Sequence, residues 1–241
     1  MVVAFTILAV VAGGVVRGYA GFGASMFWVA SLSLIYAPSS VVPTVLLLEV
    51  VASLHLLPGV FHRVEWRSMS LMLAATLVTM PAGVALLAVL PDRTMRIIVA
   101  VAILLATLAT AVGLDLARYG GRRKAVVAGA VSGVVNGSTG IGGPPAVLLY
   151  FSPGKEVAVG RATLIAYFLA TDAFGFAYMA IYGLVDRPVL VHAAVFVPLA
   201  VLGILIGQRV FRRYGAQGFH TAMLVILFVL GVAILVRSLI P

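Results

Sequence analysis

Two glycine-rich stretches contain the residues of this chain best suited to bind a ligand. The first runs from Gly14 to Gly23 and the second from Gly133 to Gly142, and both follow the pattern G-V-V-x-G-x-x-G-x-G. A Gly-Pro-Pro run completes the second stretch at residues 143–145. Inside a helix, Gly costs about 1 kcal/mol relative to Ala, and Pro costs about 3 kcal/mol. We therefore predict that the backbone unwinds within each stretch.

Both stretches lie within apolar sequence, which places them at membrane depth. Unwound backbone is tolerated there only where protein or a water-filled cavity covers it, and in carriers such breaks mark the binding site. The alternative is helix packing through small residues, because Gly-x-x-x-Gly pairs are widespread in membrane helices. The repetition of the pattern, once in each half of the chain, favours a binding site.

The chemistry expected of such a site is anion binding. A helix that begins after a break presents unpaired N–H groups and the positive end of its dipole, and anions bind there readily. Glycines let the backbone approach a ligand closely and adopt positive φ. The predicted substrate-binding residues are Arg17, Gly18, Gly21, Gly23, Asn136, Gly137, Ser138, Thr139, Gly140, Gly142 and Gly143.

Four of these residues would contribute side chains. Arg17 aligns with Asn136 and is the one fixed positive charge inside a break. Its alternative role is to snorkel towards the membrane interface. Ser138 and Thr139 would donate hydroxyl groups to the anion or cap the helix that follows, and the two roles are compatible.

Three further ionisable residues, Glu49, His55 and Asp172, lie within apolar spans. Ionisable groups at membrane depth are functional hypotheses by default. A shift of 117 residues places His55 opposite Asp172, so the two could pair with each other, pair with Arg17 or relay a proton. A neutral histidine bonded to a helix carbonyl is the alternative for His55.

The same shift pairs Pro81 with Pro198, and each proline stands inside an apolar segment. Proline removes a helical hydrogen bond and kinks the helix. The two kinks would serve either as gating hinges or as accommodations to packing.

The composition requires a membrane. Of 241 residues, 63% are apolar and 10% charged, and the mean hydropathy is +1.20, which excludes an ordinary soluble domain. Lipid is therefore a partner. The net charge of +9 lies in short loops, so nucleic acid is not expected as a partner. Cysteine is absent, which excludes disulfides and thiolate metal sites, and we predict no metal and no cofactor.

The apolar segments predict an all-α polytopic membrane protein. They span about 2–16, 22–37, 41–60, 67–90, 95–116, 124–135, 140–151, 157–183, 188–211 and 216–240. The first two segments of each half are short for a 30 Å core at about 1.5 Å per residue. We therefore expect each such pair to be a re-entrant helical hairpin with its tip at the glycine pattern. Three full crossings follow each hairpin, giving about eight transmembrane elements.

An odd number of crossings turns the second half upside down, so residues 1–118 and 119–241 are predicted to be inverted repeats of one membrane domain. Alternate loops carry eleven basic residues on one side and four on the other. The richer side is expected to be cytoplasmic, which leaves both termini outside. The richer set is Arg63, Arg67, Arg118, Arg122, Arg123, Lys124, Lys155, Arg161, Arg209, Arg212 and Arg213.

In its doubled glycine pattern, its two halves and its length, the chain resembles the TauE/SafE family of prokaryotic membrane proteins. The most specific parts are residues 18–23 and 137–145, and the likeness covers nearly the whole chain. The resemblance implies a transporter of small sulfur-containing anions such as sulfite, thiosulfate and organosulfonates, located in the plasma membrane.

An inside-negative potential favours export of an anion by about 2.3 kcal/mol per charge per 100 mV. We therefore expect potential-driven export, to which Glu49 or Asp172 could add proton linkage. The sequence leaves open the particular sulfur anion, the direction of transport and the oligomeric state, with a homodimer among the options.

Other classes of protein fit the sequence less well. An intramembrane serine protease would need a Gly-x-Ser-x-Gly elbow and a partner histidine, whereas Ser138 directly follows a glycine and has no histidine nearby in sequence. A cation carrier would need carboxylates at the tips. A structural subunit would gain nothing from the breaks. A carrier or channel for another small anion remains the main alternative, and we predict no enzymatic activity.

Overall fold

The computed structural model describes residues 2–112, 122–150, 156–214 and 219–239, and within these ranges the chain forms ten α-helices. They are α1 (Val2–Ala20), α2 (Ala24–Leu32), α3 (Pro38–Leu56), α4 (Trp66–Val89), α5 (Asp92–Ala111), α6 (Arg122–Thr139), α7 (Gly143–Tyr150), α8 (Val157–Ile181), α9 (Arg187–Tyr214) and α10 (Phe219–Leu239). Two 3₁₀ turns, Leu57–Gly59 and Phe61–Arg63, follow α3.

Six helices in the described ranges are long and apolar enough to cross a membrane. They are α1, α3 with its first 3₁₀ turn, α4, α5, α8 and α9. Helix α10 adds a shorter apolar stretch, Val225–Leu239. The prediction of an all-helical, multi-pass membrane protein is confirmed.

Helices α2 and α7 are the short members of each half. They contain nine and eight residues, so at about 1.5 Å per residue neither can cross a bilayer. The helices before them are longer than the sequence suggested, because α1 has 19 residues and α6 has 18. The prediction that the first arm of each half stops near residues 16 and 135 was wrong.

The first arms run on because their early glycines pack against neighbouring helices. Helix α1 lies along α9 and α6 lies along α4. A Cβ atom added to Gly18 would overlap the backbone of Ile204 in α9, and one added to Gly137 would overlap the backbone of Met80 in α4. Close backbone approach through small residues compensates for the low helix propensity of Gly. For Gly18 and Gly137, the packing alternative is therefore what the structure shows.

The chain breaks at the later glycines of each pattern. Gly21 and Gly23 have φ values of 82° and 83°, and Gly140 has a φ of 69°. These left-handed conformations favour Gly over every residue with a Cβ atom. The first break separates α1 from α2, and the second separates α6 from α7.

The two hairpins have their free ends at different ends of the bundle. For the first hairpin, the Thr6 hydroxyl on α1 lies 3.3 Å from that of Tyr36, just beyond α2. For the second, the hydroxyl of Tyr150 at the end of α7 lies 3.2 Å from that of Ser68, at the start of α4. Helix α4 runs for 24 residues from the end marked by Ser68 to the opposite end of the bundle. There Asp92, just after α4, accepts a hydrogen bond from Ser39, which follows Tyr36 by three residues.

A substitution at Gly137 should separate α6 from α4. In Gly137→Ala the new methyl group would also lie 2.9 Å from the backbone nitrogen of Val84, so one of the two helices must move. We expect a loss of about 1–3 kcal/mol of stability, as for other overpacked positions. Thermal unfolding in detergent measures it. Gly59→Ala is the control, because nothing lies within 4 Å of its added Cβ atom, and an equal loss in both variants would contradict the packing role.

Candidate functional site

Arg17 is the centre of a buried polar cluster in the first half of the chain. Its side chain is fully buried, and its Nη2 lies 3.1 Å from Oε2 of Glu49 in α3. Nη2 also donates to Oγ of Ser53 at 2.6 Å, and Nη1 donates to the carbonyl oxygen of Gly21 at 2.9 Å. Arg17 thus holds the end of α1 to α3 across the break, and complete burial rules out snorkelling.

A corresponding cluster surrounds Asn136 in the second half. Its Nδ2 donates to Oδ1 of Asp172 in α8 at 3.0 Å, and its Oδ1 accepts from the backbone N–H of Gly142 at 3.0 Å. Both side chains are almost fully buried, with 3% of each exposed. Asn136 therefore joins α6, the second break and α8, as Arg17 joins α1, the first break and α3.

The two clusters follow the same spacing. The Arg17–Ser53 and Asn136–Asp172 hydrogen bonds each join residues 36 apart in sequence. A shift of 119 residues therefore relates the two pairs, and it is the same shift that superposes the glycine patterns.

The proposed pairing of His55 with Asp172 was wrong. His55 is exposed in the last turn of α3, whereas Asp172 is buried against Asn136. The shift of 117 came from the prolines of later helices, and two residues on a helix turn a side chain to another face. Pro81 and Pro198 lie inside α4 and α9, which both continue through them.

The first break and the start of α7, which follows the second break, line one cavity. About 40 Å³ of it is open to the centre of a water molecule, which is more than one water requires. Both short helices begin at this cavity, and α5 and α10 close it. The lining residues are Phe22, Gly23, Ser25, Met26, Thr107, Thr110, Gly143, Pro144, Val147 and Leu227.

Two backbone donors remain available at the cavity. The N–H groups of Gly23 and Gly143 donate no hydrogen bond to any residue in the described ranges. Pro144 and Pro145 have no N–H group, so Gly143 is the main donor in the first turn of α7. An anion at the cavity would accept from these groups at the positive ends of α2 and α7.

Other predicted donors are bonded within the protein. The N–H groups of Gly21 and Gly140 donate to the carbonyls of Arg17 and Asn136, both at 2.8 Å. The hydroxyls of Ser138 and Thr139 donate to carbonyls one turn earlier in α6. Thr139 Oγ1 also accepts from the N–H of Ile141 at 3.2 Å. These contacts fix the shape of the second break. The Thr139 contact does not cap α7, because Ile141 lies before the start of that helix at Gly143.

Phe168, which the sequence reading did not identify, connects the buried ion pair to the cavity. The guanidinium of Arg17 lies 5.4 Å from the centre of the Phe168 ring, within cation–π range. A Cβ atom on Gly143 would lie 3.5 Å from the far end of the same ring. Phe168 stands one helical turn before Asp172 in α8, so the two side chains share a face of the helix. That spacing from an intramembrane acid is the sequence signal that could have identified Phe168.

Comparison with known proteins identifies the family. Residues 5–234 match the protein family described as "Sulfite exporter TauE/SafE". This chain belongs to the TauE/SafE family. The TauE/SafE match covers both hairpins and all ten described helices except the ends of α1 and α10. TauE/SafE proteins form a transporter family that is generally non-enzymatic.

One curated TauE/SafE relative comes from Cupriavidus necator and is named "Probable sulfite/organosulfonate exporter TauE". It is 30% identical to this chain over 196 residues, which cover 78% of this chain and 76% of the relative. No solved structure matches this TauE/SafE chain.

Proposed function

We propose that this protein is a secondary transporter that exports small sulfur-containing anions, such as sulfite, thiosulfate or organosulfonates. The observation that carries the proposal is the meeting of two broken hairpins at one cavity, with the N–H groups of Gly23 and Gly143 available there. The substrate class follows the name of the Cupriavidus necator relative. A carrier or channel for another small anion is the alternative.

Alternating access would come from two inverted repeats, residues 1–118 and 119–241. Three contact patterns support this architecture. Helix α1 packs on α9 as α6 packs on α4, the hairpins open at different ends of the bundle, and the Arg17 and Asn136 clusters share one spacing. The boundary near residues 118–119 lies outside the described residues. Pro81 and Pro198, inside the two helices that pack on the hairpins, are candidates for gating hinges.

We assign four roles to the predicted binding residues. Gly23 and Gly143 supply direct backbone donors, and Arg17 supplies positive potential from behind Phe168. Two further groups act indirectly. The residues that shape or brace the breaks are Gly21, Asn136, Ser138, Thr139, Gly140 and Gly142. The residues that pack the arms are Gly18 and Gly137.

The charge balance of the buried clusters limits how an anion can be held. Arg17 forms an ion pair with Glu49, and Asp172 lies close enough to interact electrostatically with both. Two ionised acids would leave the clusters with a net negative charge, which would repel the substrate. We therefore propose that Asp172 is protonated when the site is loaded. The loaded site then carries the charge of the anion, so the inside-negative potential drives export.

Loop charges give the proposed orientation in a prokaryotic plasma membrane. Contacts between loops agree with the two groups of loops counted from the sequence. At one end of the bundle Arg63 lies 3.8 Å from Glu156, and at the other Arg93 donates to the carbonyl of Ser238. The end that contains Arg63 is richer in basic residues and is proposed to be cytoplasmic, with both termini outside. Arg118 and Lys155, which were counted with this group, lie outside the described residues.

Ligand binding to the purified protein tests the proposal. Sulfite, thiosulfate, sulfoacetate and acetate are compared for wild type, Gly143→Val and Gly59→Val. Gly143 lines the cavity, and a side chain there extends towards Phe168, whereas nothing lies near one at Gly59. We expect the sulfur anions to bind best and to lose about tenfold in affinity in Gly143→Val only, which corresponds to about 1.4 kcal/mol. Preferred binding of acetate would refute the sulfur assignment in favour of another anion.

A further inference from the structure

Arg161 is a second arginine at the first break. It stands in the second turn of α8 and is partly buried. Its stem packs against Gly21 so closely that a Cβ atom there would lie 2.5 Å from Arg161 Nε. Arg17 donates to the carbonyl oxygen of the same glycine. Two guanidinium groups therefore contact one glycine of the break.

No acid in the described part of the chain neutralises the charge of Arg161. Among the described residues, Arg17 pairs with Glu49 and Arg63 with Glu156, but Arg161 forms no ion pair. Arg17 is instead close enough for the two positive charges to repel. Burying an unpaired cation beside another cation is costly, and perturbed charges of this kind cluster at functional sites.

The guanidinium of Arg161 keeps donors available for such a visitor. Its Nη2 makes a long hydrogen bond of 3.4 Å to the carbonyl oxygen of Gly18, and its Nε is buried without a hydrogen-bond partner in the described part of the chain. The group lies 5.0 Å from the ring centre of Phe211, which holds the plane of the guanidinium from one side. Its positive charge and these N–H donors suit the oxygens of sulfonate and sulfite.

We propose that Arg161 captures the substrate anion from the side rich in basic loops and passes it to the first break. The inference rests on the proposed function, since it names a further binding residue on the same path. Arg161 belongs to the end of α8 that follows Glu156, and Thr163, two residues further on, accepts from the backbone N–H of Glu65. This end of the bundle is where export would begin.

Flux in proteoliposomes tests the inference. Initial rates for radiolabelled sulfite are measured well below saturation and at saturation, in low and high salt, for wild type and three variants. Arg161→Gln removes the charge, Arg161→Lys keeps it, and Arg67→Gln removes an exposed charge from the same end of the bundle. In low salt we expect Arg161→Gln to lose about tenfold in rate below saturation and less than about twofold at saturation. High salt should narrow the difference, because charges are then screened within about 3 Å at 1 M.

Arg161→Lys should retain most of the wild-type rate, and Arg67→Gln should match wild type. If Arg161 were purely structural, Arg161→Gln would instead lower the saturated rate and the thermal stability, and Arg161→Lys would not restore them. That pattern would overturn the inference. Equal rates in wild type and Arg161→Gln would also overturn it while leaving the transport proposal intact. Absence of flux in wild type for sulfite, and for thiosulfate and sulfoacetate measured in the same way, would refute the transport proposal, and the capture role with it.

Discussion

Replacing Arg17 by Gln is expected to abolish transport and to destabilise the protein. The substitution leaves Glu49 buried without its cationic partner and removes the hydrogen bonds to Ser53 and Gly21. Breaking a buried ion pair from one side costs about 3–5 kcal/mol. Flux should fall at least about a hundredfold, as expected when a buried charge that attracts the substrate is lost. Flux and thermal unfolding are measured on the same preparations, with Arg67→Gln as the exposed control.

The double variant Arg17→Gln/Glu49→Gln separates stability from function. It removes both charges, so much of the stability should return, because a neutral pair replaces an unpaired buried acid. Transport should stay absent, since the positive potential behind Phe168 is still missing. Wild-type flux in the double variant would show that Arg17 is needed only for folding.

Asp172→Asn is expected to remove the pH dependence of anion binding. In wild type, deprotonation of Asp172 adds a negative charge beside the Arg17–Glu49 pair, so affinity should fall as pH rises. Two unit charges 4 Å apart interact by about 4 kcal/mol at an effective dielectric constant of 20. Even if Asp172 and the bound anion lie further apart than this, we expect deprotonation to lower the affinity about tenfold. Asparagine copies the neutral acid and can still bond to Asn136.

Methanesulfonate is the suitable ligand for this titration, because its charge does not change over the accessible pH range. Binding by Asp172→Asn should stay near the low-pH affinity of wild type at every pH. Glu156→Gln is the control, because Glu156 is an exposed acid whose ion pair with Arg63 is long, at 3.8 Å. Loss of binding in Asp172→Asn at all pH values would mean that an ionised Asp172 is required, contrary to the proposed charge balance.

The breaks themselves could be predicted from the sequence, because their glycines must adopt left-handed backbone conformations. Gly21, Gly23 and Gly140 do so. The length of the first arms could not be predicted, since Gly18 and Gly137 look the same in sequence as the glycines of the breaks. Their helical conformation depends on backbone contacts with Ile204 and Met80, far away in the chain.

The partner of each buried charge also required the fold. Glu49 was recognised as an intramembrane acid, but its pairing with Arg17 depends on the angle between α1 and α3. The choice between shifts of 117 and 119 residues decides whether His55 or Ser53 occupies the position that corresponds to Asp172. Insertions between later helices change such shifts, so a proline match alone cannot fix the register of earlier helices.

Substrate protection of single cysteines would test most directly whether the two breaks form one anion site. The chain has no cysteine, so Ser25→Cys at the start of α2 and Val147→Cys in α7 each place one reactive thiol at the cavity. Ser70→Cys supplies an exposed control thiol on α4. Maleimide labelling is followed with and without methanesulfonate, which does not react with maleimide. One bound anion between the breaks predicts that both cavity thiols are protected at the same ligand concentration while the control is unchanged. Protection of one thiol alone, or of neither, would contradict a shared site.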